Sequence, residues 1–211
     1  MRRKIISKIR YGMVMQSILN QLIKIGFRIE PFLLYQEGIF TNYPEGLEGS
    51  FTDYEVGFLG PEDMKVIGAL PGRRYFNEER LLARLEEGKK CLGLRYNGDI
   101  AAFTWCDFES CHSSLYSFLL NKNEVYLFDA YTFEAFRGKK IAPYLRFKCY
   151  QELQNLGYSK FYSYSLLFNK PAIKFKQKLN ARPVLLGLKV TIRKKGNWTW
   201  IIKKYNNLND L

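Results

Sequence analysis

Asn97-Gly98 stands between two apolar runs, Lys90–Tyr96 and Asp99–Cys106. Such a pair lets both central residues of a two-residue turn take positive φ, the geometry that matches the twist of paired strands. The stretch "KCLGLRYNGDIAAFTW" is therefore a β-hairpin, and any fold for this chain must contain a sheet around it. The flanking patterns add helices. Pro61, Glu62 and Asp63 suit the first turn of a helix that follows the strand "YEVGFL". Asn77 caps a second helix, "EERLLARLEEG", which Gly88 ends. "EVYLFDAYT" is a strand. A helix follows from about residue 139, with Ile141, Leu145, Cys149 and Leu153 at fourfold spacing and Gly157 as its stop. "KFYSYSLLF" is a strand, "KPAIKFKQKL" a short helix, and "PVLLGLKVTIRKKGNWTWIIKKY" a last hairpin whose Trp198, Trp200 and Tyr205 read as sheet core. Residues 107–123 are irregular apart from a short strand around Leu115–Leu119, and residues 42–53 form a loop. The order of elements predicts an α/β fold, a mixed sheet flanked by helices. Residues 1–45 form an N-terminal basic amphipathic helix (near helical spacing over 3–25) with its connecting segment, and residues 46–211 form the main domain.

Charge narrows the partners. The chain of 211 residues carries a formal net charge of +13, and from Leu153 to Asn209 it has no Asp or Glu. That balance favours anionic partners. Nucleic acid is disfavoured, because no nucleic-acid motif accompanies the charge. Cys91, Cys106, Cys111 and Cys149 form no CxxC pair, and His112 is the only histidine, so no metal site is expected. The thiols read as reduced ones in a cytoplasmic protein. No apolar run reaches the length of a membrane span. Arg2, Arg3, Lys4, Lys8 and Arg10 suggest peripheral contact of the first helix with an anionic membrane.

Arg137, Gly138, Lys139 and Lys140 lie between a strand and a helix, with no acid among them. The first N–H groups of a helix lack intrahelical partners, and the helix dipole adds positive charge there. Gly138 lets an anion approach the backbone, and Pro143 is tolerated in the first turn. A pyrophosphate fits this site.

Strand, Arg-Gly-x-x-Ile-Ala, helix resembles the acyl-CoA pyrophosphate loop of the GNAT acyltransferases. The family's Gln/Arg-x-x-Gly-x-Gly/Ala falls on Arg137, Lys140 and Ala142, with Lys140 replacing the middle glycine. Lys140 can still offer its backbone N–H if its dihedrals are helical. The later "SLLFNKPAIKFKQKLNARPV" is similar to the family's Asn-x-x-Ala segment through Asn169 and Ala172, while the family's frequent general-acid tyrosine falls on Lys176. The resemblance spans roughly residues 54–204.

The resemblance implies a central mixed sheet, partly splayed between strands around 125–132 and 161–168. The donor's pantetheine arm would pair with backbone near Tyr131 and Phe133, an N–H near Thr132 would serve the oxyanion, and Arg137, Gly138, Lys139, Lys140, Ile141 and Ala142 would hold the phosphates. Asn169 and Lys176 complete the implied donor contacts, with Lys176 facing a phosphate or thiolate unless it lies on a solvated helix face. The candidate bases are Asp129, set among Tyr126, Leu127, Phe128 and Tyr131 where burial would suit a base, and Glu124 near the strand end. Tyr162 or Tyr164 would replace the missing acid. The implied function is N-acyl transfer, most simply N-acetyl transfer, from acetyl-CoA or a longer acyl-CoA to a small-molecule amine or amino acid. The alternatives are an acyl carrier protein as donor and a non-catalytic acyl-CoA-binding relative.

Overall fold

The computed structural model describes residues 14–38, 51–70 and 77–205. In chain order the elements are α1 (Val14–Lys24), β1 (Phe27–Glu37), β2 (Tyr54–Leu59), α2 (Pro61–Gly68), α3 (Glu78–Glu86), β3 (Lys90–Tyr96), β4 (Asp99–Asp107), β5 (Ser110–Cys111), β6 (Phe118–Leu119), β7 (Glu124–Thr132), a 3-10 turn (Glu134–Phe136), α4 (Ile141–Asn155), β8 (Lys160–Leu166), α5 (Lys170–Lys178), β9 (Arg182–Ile192) and β10 (Gly196–Lys204). This is the mixed α/β sheet with helices that the sequence predicts. The basic head of the first predicted helix and most of the 42–53 loop lie outside the described residues. The short strand expected around Leu115–Leu119 shrinks to Phe118–Leu119, paired with β5. The largest difference is β1, which the sequence reading leaves inside a connecting segment.

The chain divides into two compact units, and β8 contributes Lys160–Tyr162 to the second and Ser163–Leu166 to the first. In the second unit the strand order is β8-β7-β4-β3-β2. β7 and β8 are parallel, and the remaining neighbours are antiparallel. Successive residues of β4 point to opposite faces, and both faces are covered. Trp105 and Phe103 pack with Leu59, Met64, Ile67 and Leu81 beneath α2 and α3. On the other face, Cys106 Sγ lies 3.8 Å from Cys149 Sγ of α4. Ile141, Leu145, Cys149 and Leu153 are all buried, as their spacing requires. Burial of so much of α4 explains why it is not cleanly amphipathic. All four cysteines are buried and outside any disulfide. Burial pushes the Cys91 thiol up, and the Cys149 contact together with burial does the same for Cys106.

In the first unit the strand order is β10-β9-β1-β8. β9 pairs antiparallel with both β1 and β10. Ladder partners share a face, so the pairs Ile29↔Val190↔Trp198 and Pro31↔Leu188↔Trp200 set one face of this sheet. α1 packs along β1, and Leu19 and Ile23 line one hollow with Ile29 and Pro31. The opposite face of β10 meets residues 112–117, since Thr199 donates to Leu115 O at 3.0 Å. Trp198 and Trp200 are not sheet core: they are 44% and 51% exposed. Tyr205 does join a core cluster, with Leu33, Tyr35 and Ala181. No described helix is long and apolar enough to cross a membrane.

Candidate active site

The site is built on β7, the turn after it, and the start of α4, all within the second unit. β7 and β8 pair only through Glu124↔Lys160, Val125↔Phe161 and Tyr126↔Tyr162. Among the described residues no ladder continues on that side from Leu127 to Thr132, so β7 presents an open backbone edge there. Its other edge is irregular as well. Phe103 opposes Tyr131 and Trp105 opposes Phe128, so Asp129 and Ala130 together face the single residue Thr104. That is a β-bulge. Asp129 carries it in the left-handed region, at φ 45°. Non-glycine residues rarely adopt such a backbone, and the surroundings must enforce it.

The bulge turns Asp129 outward. Its side chain is 38% exposed rather than buried among aromatics as the sequence suggests, and Oδ2 lies 2.9 Å from Arg84 Nη2 of α3. The Arg84 guanidinium in turn lies over the rings of Trp105 and Phe128, 5.2 Å from each centroid. Asp129 is thus held by a cation that is itself clamped by aromatics.

Glu124 has the opposite environment. Although near the strand end, it is buried. Oε2 accepts from Asn121 N and Nδ2 at 3.0 Å each, and Oε1 accepts from Tyr162 Oη at 3.2 Å. Burial, followed by the Glu124 charge, pushes the Tyr162 phenol up to about 12. Four groups including Lys160, at 3.9 Å, surround this carboxylate, which therefore fixes the start of β7.

Beyond β7, Phe133 N donates to Ala101 O, and the 3-10 turn redirects the chain. Arg137 folds back on the strand end. Its Nε donates to Thr132 O at 3.1 Å, Nη1 to Glu134 Oε1 at 3.0 Å, and Nη2 to Tyr131 Oη at 3.1 Å. It braces the loop, and its charge is shared with Glu134. Gly138 has φ 81°. A Cβ built there would meet nothing within 4 Å, so the backbone opens onto free space. Lys140 is the N-cap of α4 at φ 58°, ψ 16°, left-handed and not helical as the sequence expectation required. Lys139 and Lys140 are exposed. The first-turn N–H groups of α4 come from Ile141 and Ala142, because Pro143 has none. Two left-handed residues, a helix N-terminus and two lysines make a cationic cradle that fits a phosphate group.

The first unit holds the remaining candidates. Asn169 caps α5, its Oδ1 accepting from Ala172 N at 3.3 Å. Tyr164 Oη donates to Tyr116 O at 2.8 Å. Lys176 is not on a solvated face: its side chain is 4% exposed, its Nζ lies 3.6 Å from Glu37 Oε1, and it donates to Ser163 Oγ and to Tyr164 O. Sequence reasoning missed Glu37, which is 139 residues away and has no motif. His112 is exposed. Among the described residues no group of three or more His, Cys, Asp or Glu is placed to hold a metal.

The family model described as the acetyltransferase (GNAT) family matches residues 44–181, and the chain belongs to that family. No curated protein matches the chain significantly. Solved structures share the fold. A GCN5-related glucosamine N-acetyltransferase region of a fungal multi-domain GH3 β-N-acetylglucosaminidase is similar at TM-score 0.56 and 13% identity, over 88% of this chain and 22% of that one. A tandem GNAT protein from the clavulanic acid biosynthesis pathway gives 0.55 and 14%, over 84% and 55%. A GNAT-family acetyltransferase from Colwellia psychrerythraea gives 0.54 and 13%, over 79% and 57%. The chain therefore spans little more than half the length of these relatives, or less.

Proposed function

We propose that this chain transfers an acyl group from acyl-CoA to the nitrogen of a small amine. The observation that carries this reading is the open edge of β7 running into the cradle at residues 138–142. A pantetheine arm is an extended chain of amides, and an unmatched strand edge offers it the donors and acceptors of a missing strand. The cradle then takes the pyrophosphate through the N–H groups of Ile141 and Ala142, with Lys139 and Lys140 adding charge. Gly138 leaves the space that the phosphates need.

Acyl-CoA supplies an activated thioester. The amine attacks its carbonyl carbon, a C–N bond forms, the C–S bond breaks, and the proton lost by nitrogen is balanced by one gained by the thiolate. Backbone N–H groups of the open β7 edge around Thr132 would stabilise the oxyanion. Asp129 is the proposed base, acting on the amine directly or through one water, with Arg84 fixing the carboxylate's direction. Glu124 is better suited to holding β7 in place, since its oxygens are occupied.

Calorimetric titration with acetyl-CoA and with a long-chain acyl-CoA tests the reading. Micromolar binding is expected, weakened at least tenfold by Lys139→Ala with Lys140→Ala. Failure to bind either acyl-CoA would overturn it, and binding of acyl-loaded acyl carrier protein in their place would reassign the donor.

A further inference from the structure

We propose that the β9–β10 hairpin, with the α1–β1 turn beside it, is a docking face for an anionic phospholipid bilayer. The face is built within the first unit. Arg193 N donates to Gly26 O at 2.8 Å, which ties the hairpin turn to the turn between α1 and β1. Lys24, Ile25, Phe27, Arg193, Lys194 and Lys195 consequently line one open hollow. Among the described residues, none of its four cations has an acidic partner. The face continues along β10 in apolar form. Trp198 and Trp200 stand on one side of the strand, about 7 Å apart by the rise of two strand residues. A bulge between Ile201 and Lys203 breaks the register, so Lys203 falls on the tryptophan side. Ile25, Ile201 and Ile202 are exposed at 69%, 39% and 58%.

Three observations select the occupant. Among the described residues the cations have no acidic partner, which favours an anionic occupant. A second copy of the chain carries the same net charge of +13, which disfavours it as the partner of a cationic face. Finally, apolar groups lie on both sides of β10, whereas a folded partner or a nucleic acid would address one side. A bilayer interface accepts both, since indole rings settle at headgroup level and lysines reach phosphates. β10 is the last strand of the sheet among the described residues, and its backbone edge limits the depth to that level, because open sheet edges do not enter hydrocarbon. The contact is peripheral and salt-sensitive.

The full chain is tested by flotation with phosphatidylglycerol–phosphatidylcholine vesicles and with phosphatidylcholine alone, while tryptophan emission is followed. Trp105 is fully buried, so an emission change reports Trp198 and Trp200. Expected results are binding to the anionic vesicles only, release by high salt, a blue shift, and quenching by brominated lipid. Trp198→Ala with Trp200→Ala, or Lys194→Glu with Lys195→Glu, should weaken binding at least tenfold with unchanged circular dichroism. Brominated-lipid quenching needs no variant and stands if a variant fails to fold. Absence of flotation at low salt, absence of quenching, or wild-type binding by both folded variants would overturn the proposal. A blue shift with polyglutamate but not with vesicles would also overturn it and reassign the face to an acidic protein.

Discussion

Gly138 and Lys140 adopt the same left-handed backbone for different chemical reasons, and substitution separates them. At φ 81°, a Cβ on residue 138 has room but sits in a disfavoured conformation. Gly138→Ala should cost about 1–2 kcal/mol, seen as a lower midpoint in urea. Lys140→Gly removes an equivalent penalty, so it should be stable and should keep donor binding within a few-fold if the loop holds phosphate mainly through its backbone. The loop's location was legible in the sequence, because glycine and clustered cations at a strand–helix junction carry a local meaning. Its handedness was not, since Lys140 gives no sign of a positive φ. The bulge at Asp129 was hidden for the same reason: it arises from the mismatch between Phe103–Trp105 and Phe128–Tyr131, and no local residue announces it.

Elements whose signals are local are legible in the sequence, such as the Asn97-Gly98 hairpin and the Asn77 cap. β1 was missed because Pro31 interrupts it and Arg28 and Glu30 obscure the alternation, although it lies between β9 and β8. Proline ordinarily argues against such a central position. What β1 contributes is Glu37, and this buried carboxylate makes α5 and β1 interdependent. Lys176→Met leaves Glu37 buried without its cation and should lower stability by about 3–5 kcal/mol. Adding Glu37→Gln should restore most of that loss, which chemical denaturation of the two variants will measure. The start of β7 gives an alkaline signature. Tyr162 has its folded pKa raised to about 12, above the unfolded value of about 10. Its contribution is intact below pH 10 and is lost as pH rises toward 12. Urea midpoints for wild type should fall across that window, and less so for Tyr162→Phe.

Over the whole molecule, a net charge of +13 opposes compaction. Raising sodium chloride from about 20 to 200 mM shortens the screening length from roughly 20 Å to below 10 Å, so the thermal midpoint should rise with salt in this range. Lys194→Glu with Lys195→Glu should start from a higher midpoint and respond less. The uneven distribution of this charge was visible in the sequence. Its meeting with exposed tryptophans was not, because a period-two run of Trp and Ile reads the same in a core strand as on an open edge. The lysine at position 140 carries a wider lesson about kinship. A pattern written in letters scores it as a broken glycine, yet the backbone there keeps the turn a glycine would make. Relatives of this chain will be found more readily by comparing the hand of each loop residue than by spelling out its side chains.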